Sequence, residues 1–214
     1  MHFLLYNPNS NAAVTAALRD VLRTSLNAND TLRWETAEEA PTYISSEETI
    51  SAARRGLEVA LPPRALVSDA IIVGCFGDLG INALQRSISI PVLTLWDAYV
   101  LAARETLDRI GIVTTSAFWV DRIQQDAERL GLGSRTVVRG IDVAASSTPR
   151  QLTLSVRRAV DYMARNDGVD VLVLGGALFA VPDPGLDAFG LPIMDLLAAA
   201  ARCCRSGRPD LAAP

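Results

Sequence analysis

Three cysteines hold most of the chemistry available to this chain. The sequence has 20 Lys+Arg residues, all of them arginine, and its only histidine is His2. Without lysine there is no Schiff base to pyridoxal phosphate and no Walker lysine for nucleotide phosphates. Without an internal histidine, His-rich zinc sites and Ser-His-Asp triads lose their central part unless His2 reaches a site. Thiols, carboxylates and hydroxyls remain. Cys75 follows an apolar run directly, in the turn Gly74-Cys75-Phe76-Gly77-Asp78-Leu79-Gly80. If that turn enters a helix, the amides there favour the thiolate and lower a free-cysteine pKa of about 8.5 toward neutrality. The glycines would let a ligand approach the backbone. The same position equally suits a small buried hydrophobe, a common role for free cysteine. Cys203 and Cys204 are adjacent in an alanine-rich terminal segment and read as packing or surface residues.

Polar turns accompany this thiol. Asn7-Pro8-Asn9-Ser10-Asn11 follows a first strand. Its amides and hydroxyl suit a carboxylate or imide, or else make an Asx turn and a helix cap. Thr114-Thr115 poses the same choice between two hydroxyls on an anion and one N-cap threonine. Tyr43 either reaches such a site from its loop or has a core or surface role.

Short apolar runs alternating with helical periodicity must position these residues, the pattern of parallel strands joined by crossover helices. Strands are expected at 3–6, 31–36, 69–74, 91–95, 109–113, 136–139, 170–175 and 192–194. Val14, Leu18, Val21 and Leu22 mark one amphipathic helix, Trp119, Ile123, Ala127 and Leu130 a second, and Leu152, Val156, Val160 and Met163 a third. Ser45 with Glu48 predicts a capping box for a helix running to about Val59 and ended by Leu61-Pro62-Pro63. A terminal helix over 195–205 precedes a frayed tail, 206–214.

Two segments match each other. Asp69 to Gly74 and Asp170 to Gly175 are each an acidic residue, four apolar residues and a glycine, and the spacing from Asp69 to Pro91 equals that from Asp170 to Pro192. This reads as a tandem duplication of an α/β unit, against the ordinary likeness of any two βα turns. The division is a first subdomain over 1–97, with the helix 195–205 packed on it, and a second over 98–194. Duplication would face the two Gly-X turns across a cleft, at the carboxyl ends of strands where ligands of open α/β sheets sit.

Composition narrows the class. At 214 residues the chain has material for one large domain or two small ones. A net charge of −4 leaves no basic field for a phosphate backbone, so nucleic acid is not an expected partner. The longest apolar run, 171–181, is about half of a bilayer span, so no membrane is expected. Neither end has a targeting pattern, and three cysteines make a poor disulfide framework; both features point to the cytoplasm.

Asn7-Pro8-Asn9-Ser10, Ala40-Pro41-Thr42-Tyr43-Ile44, the Gly74-Cys75-Phe76-Gly77-Asp78 turn, Pro91-Val92, Val113-Thr114-Thr115 and the Leu174-Gly175 turn resemble, in order and over nearly the whole chain, the aspartate/glutamate/hydantoin racemase superfamily, and hydantoin racemases most of all. The resemblance implies two similar α/β subdomains with parallel sheets, related by a pseudo-two-fold axis, with the active site in the cleft between them. It implies no cofactor or metal, a small carboxylate or hydantoin-like substrate, and a homo-oligomer. Two cysteines of that family work on opposite faces of a carbon acid: one thiolate removes a proton next to a carbonyl and the other thiol returns one. Cys75 falls on the first cysteine and is the implied catalytic residue. Asn7, Asn9, Ser10, Tyr43, Phe76, Gly77, Thr114, Thr115, Gly176 and Ala177 are the implied substrate-binding residues. Where the family's later strand ends in leucine-glycine-cysteine, this one reads Leu174-Gly175-Gly176. Two-base racemisation needs groups on both faces. A single thiol can instead protonate, from one face, an enolate left by departing CO₂, an arrangement that resembles arylmalonate decarboxylases in reverse. A homologue that binds without catalysis, and a covalent cysteine nucleophile, are the other classes.

Overall fold

The computed structural model describes residues 1–141, 148–176 and 190–207. They fall into two compact units, Met1–Leu101 joined by the last helix, and Ala102–Asp195. The first begins β1 (His2–Asn7), α1 (Ala12–Thr24), β2 (Thr31–Thr36) and α2 (Glu47–Ala65). It continues with β3 (Ala70–Val73), α3 (Asn82–Ser87), β4 (Val92–Thr94) and α4 (Leu95–Arg104), whose last residues pass into the second unit. The second unit holds β5 (Ile110–Thr115), α5 (Ser116–Arg129), β6 (Thr136–Ile141), α6 (Pro149–Tyr162) and β7 (Val171–Gly175), and α7 (Leu196–Arg205) returns to the first. No helix among the described residues is long and apolar enough to cross a membrane.

All sheet pairings among the described residues are parallel, in the orders β2-β1-β3-β4 and β6-β5-β7. Residues 3–7 and 70–73 are buried at every position, as central parallel strands covered on both faces must be. Edge strand β2 is more open, and the guanidinium groups of Arg19 and Arg23 lie over the ring of its Trp34, at 5.1 and 4.9 Å. In the second unit Val113, Val156, Val160, Met163 and Leu172 form the core.

The two matched segments make the same hydrogen bonds. His2 N donates to Asp69 Oδ2 (2.7 Å) and Asp69 N to the His2 carbonyl (2.8 Å). Arg109 N donates to Asp170 Oδ2 (2.8 Å) and Asp170 N to the Arg109 carbonyl (2.8 Å). Ile71 N meets the Pro91 carbonyl as Leu172 N meets that of Pro192, both at 2.9 Å. The expected strand over 192–194 is a single bridge, Ile193 to Leu172.

Helix α2 departs from expectation at both ends. Its cap is Ser46, not Ser45, with Thr49 N on Ser46 Oγ (3.2 Å) and Ser46 N on Thr49 Oγ1 (2.9 Å). It also continues through Pro62 and Pro63 to Ala65, although an interior proline costs about 3 kcal/mol. The prolines lie on the exposed side, while Leu57 and Leu61 are buried. Arg64 secures the last turn by donating to the Ala60 carbonyl (2.8 Å) and to Glu35 of β2 (2.6 Å).

Helix α7 is tied to the first unit by an ion cluster. Arg205 Nη2 meets Asp30 Oδ2 at 2.6 Å and the Met1 amino group meets Asp30 Oδ1 at 2.9 Å. Asn27 N also donates to Oδ2 (2.9 Å), and the Asp30 side chain is only 6 % exposed.

Candidate functional site

In the first unit the polar turns gather where the sheet's central strands end. Tyr6 of β1 pairs with Val73 of β3, so the turns 8–11 and 74–77 leave the sheet side by side. Cys75 is buried, and both its backbone polar groups are engaged. Its N–H donates to the Val73 carbonyl (2.8 Å) in a tight turn, and its carbonyl accepts from Leu95 N (3.1 Å). Chemistry at this residue therefore falls to the thiol.

The expected helix start at Cys75 is absent. Asp78 Oδ1 accepts from Gly80 N (2.7 Å) and Gly80 has φ +68°, an Asx turn that holds the chain out of a helix until Asn82. With no helix amides to favour the thiolate, burial dominates and pushes the Cys75 thiol up to about 12 rather than down. The glycines also have other work. A Cβ on Gly74 would lie 2.6 Å from Leu18 Cδ1, so Gly74 admits the α1 side chain, and Gly80 supplies the left-handed turn.

Asn7 and Asn9 build their loop. Fully buried Asn7 donates Nδ2 to Asn9 Oδ1 (3.0 Å), the Asn11 carbonyl (3.1 Å) and Thr15 Oγ1 (3.0 Å), and its Oδ1 accepts from Asn9 N (3.3 Å). With its amide spent in this way, Asn7 positions the loop instead of meeting a ligand. Asn9 Oδ1 also accepts from Asn11 N (3.0 Å). Among the described residues no acceptor meets Asn9 Nδ2, although the residue is 7 % exposed. Ser10 N donates to the Pro41 carbonyl (3.2 Å) and Asn11 Nδ2 to the hydroxyl of Tyr43 (3.4 Å), which brings the 41–43 loop, with Tyr43 47 % exposed, to the same edge. Gly77 is buried, and the Phe76 ring packs on Trp96 and Tyr99 at 5.5 and 5.8 Å between centroids.

The second unit offers its own strand ends. Thr114 is buried, and Thr115 is the N-cap of α5 but makes no side-chain cap bond. The next residue, Ser116, has φ +65°, a strained conformation for a residue with a Cβ. The hydrogen bonds shared by the two units carry Gly74-Cys75 onto Gly175-Gly176, and Gly176 has φ +143°. Ala177 lies outside the described residues. Cys203 is partly buried and Cys204 buried, both in α7.

Asp97, unremarked in the sequence reading, accepts with Oδ2 from Thr94 N and Gln85 Nε2, both at 2.8 Å. Thr94-Leu95-Trp96-Asp97 was the available signal, a capping-box spacing. Burial raises the Asp97 carboxyl to about 6, against the Thr94 and Gln85 bonds, and the nearby Asp78 adds to the rise. Since the folded chain holds this proton more tightly, the contribution is fully present below about pH 4 and is lost as pH rises through 6. Asp97→Asn is therefore expected to remove a loss of stability on the order of 2–3 kcal/mol between pH 4 and 7, read from urea unfolding at each pH.

A family model described as Asp/Glu/Hydantoin racemase matches residues 4–204. The chain is 26 % identical over 209 residues to a hydantoin racemase of Rhizobium meliloti, covering 94 % of this chain and 86 % of that one. Allantoin racemase from Klebsiella pneumoniae shares the fold with a TM-score of 0.84 at 20 % identity, over 96 % of this chain and 86 % of that one. Nocardia farcinica maleate cis-trans isomerase does so at 0.68 and 19 %, over 96 % and 91 %. The chain thus belongs to the Asp/Glu/hydantoin racemase family and is an enzyme of the racemase and isomerase kind.

Proposed function

We propose that this protein is a cofactor-independent, cysteine-dependent proton-transfer enzyme of racemase or isomerase type. It acts at a carbon next to a carboxylate or a hydantoin-type carbonyl, with Cys75 as its acid–base residue. The observation that carries this reading is a buried thiol whose backbone is fully engaged, at a strand end beside a loop in which the Asn9 amide keeps a spare donor, Nδ2. Asn9, with the Ser10 hydroxyl and Tyr43, would hold the substrate oxygen on which enolate charge develops. Thr114 and Thr115 offer two further hydroxyls at a strand end within the second unit. The hydantoin and allantoin racemases among its relatives support a cyclic ureide substrate.

A thiol raised to about 12 rests protonated. An enolate is far more basic than the thiolate, so transfer from Sγ to carbon runs downhill: the S–H bond breaks, a C–H bond forms, and the thiolate regains a proton from water. Removal of a substrate proton needs the thiolate first. Gly176, at the position matching Cys75, supplies no second thiol, and this favours one further reading. If CO₂ leaves and its bonding electrons form the enolate, Cys75 protonates one face and the product is a single enantiomer. Polarimetry on single-enantiomer hydantoins and amino acids, beside CO₂ release from arylmalonates, tests both. Decay of rotation supports the racemase, CO₂ with one enantiomer supports the decarboxylase, and binding without turnover removes both.

The φ of +143° at Gly176 disfavours any side chain. Gly176→Cys and Gly176→Ala are both expected to lose roughly 1–3 kcal/mol of stability, read by thermal unfolding. Only the cysteine variant should gain racemisation. Equal activity in the two would show that a second thiol is not what racemisation lacks.

A further inference from the structure

We infer that Asp97 is the positioning residue for Cys75, fixing the first turns of α4 that hold the Cys75 carbonyl and the Phe76 ring. The functional weight of the inference rests on the reading of Cys75 as the acid–base residue. β4 passes into α4 without a loop, and nearly every position there has a task. Leu95 N donates to the Cys75 carbonyl (3.1 Å). Trp96 and Tyr99 pack edge-on against Phe76, at interplanar angles of 81° and 62°. Asp97 closes the turn: its N–H donates to Thr94 Oγ1 (3.0 Å), and its Oδ2 accepts from Thr94 N (2.8 Å).

An ordinary helix cap would need no more than this. Here the same carboxylate oxygen also takes Gln85 Nε2 (2.8 Å), which donates in addition to the Val92 carbonyl (3.0 Å). One oxygen therefore joins α3, β4 and α4 beside the Gly74-Cys75 turn that follows β3. Partly burying a carboxylate is costly, and an exposed serine or glutamate box would cap α4 without that cost. What this arrangement, with Gln85 and Thr94 buried, adds is a fixed register between the Leu95 amide and Cys75.

The test compares Asp97→Ala and Asp97→Asn with wild type in three readouts. These are thermal unfolding, the rate of Cys75 alkylation by iodoacetamide resolved by peptide mass spectrometry, and kcat and KM for deuterium exchange into a single-enantiomer 5-substituted hydantoin. Displacing a reacting group by about 1 Å costs about 100-fold in rate. In Asp97→Ala, kcat should therefore fall about 100-fold with KM nearly unchanged, and the alkylation rate should shift about tenfold. Asp97→Asn keeps an acceptor for both donors, so its kcat should fall only about threefold to fivefold. A folded Asp97→Ala with wild-type kcat and alkylation, or one changed in melting temperature alone, overturns the inference. If Asp97→Ala does not fold, Asp97→Asn decides: a fall in kcat of threefold or more at constant KM upholds it, and wild-type rates overturn it. Alkylation needs no turnover, so it judges Asp97 even if full activity in Cys75→Ala removes the catalytic reading.

Discussion

Cys75→Ala is expected to lower the rate of substrate proton exchange by roughly 10²–10⁴-fold, the usual contribution of a positioned acid or base. Folding should survive. The residue is small and buried, its backbone bonds to Val73 and Leu95 do not involve the side chain, and a truncation of this size costs about 1 kcal/mol. Cys75→Ser should lose rate as well, because a hydroxyl of similar shape is a far poorer acid. The pH profile makes the expectation sharper. With burial holding the thiol up to about 12, the protonated form persists across the neutral and mildly alkaline range. The enolate-protonating rate should stay level from about pH 7 to pH 10, whereas a thiol with a pKa near neutrality would lose that activity above about pH 8. Rates of Cys75-dependent turnover across that range check the point.

A clear loss of stability is expected at Asp30. This carboxylate, 6 % exposed, answers both the Arg205 guanidinium and the Met1 amino group. The Arg205 hydrogen bond, more than any other contact, holds its carboxyl well below the usual carboxylate range. Asp30→Ala leaves Arg205 without its counterion while its cation still lies over Phe3, 5.4 Å from the ring. Deeply buried pairs lose about 3–5 kcal/mol when broken and exposed ones under 1; at this partly open site about 2 kcal/mol is expected, read from urea unfolding. The sign with pH is opposite to that of Asp97. A depressed folded pKa stabilises above the unfolded value near 4 and loses its contribution as pH falls toward the folded value. Asp30→Asn should therefore be nearly as stable as wild type in strong acid and weaker at pH 7.

Much of this architecture was legible because parallel strands buried on both faces announce themselves. Residues 70–73 and 171–173 are continuous apolar runs and become β3 and most of β7. The matched spacing of Asp69–Pro91 and Asp170–Pro192 likewise foretold two units with the same hydrogen bonds. What escaped the sequence depended on tertiary context. Pro62 and Pro63 read as a stop, but Leu61 packing and the Arg64–Glu35 pair carry α2 past them. Helix α4 was hidden because β4 runs into it with no glycine, proline or polar loop between. Around Cys75 the glycines suggested ligand access, yet Gly74 makes room for Leu18 and Gly80 serves a turn. The direction of the thiol's shift followed from burial, which no local pattern reveals. Asn7 and Asn9 were placed at the right strand end, but their separate tasks, one amide spent inside the loop and one donor spare, emerged only from the hydrogen bonds.

The central claim is that one thiol moves a proton to or from substrate carbon. Its most direct test is deuterium incorporation at the stereocentre of a single-enantiomer 5-substituted hydantoin in D₂O, followed by proton NMR with wild type and Cys75→Ala side by side. Exchange above the uncatalysed rate with wild type, lost in the variant, is the predicted result. Equal exchange with both proteins would contradict it.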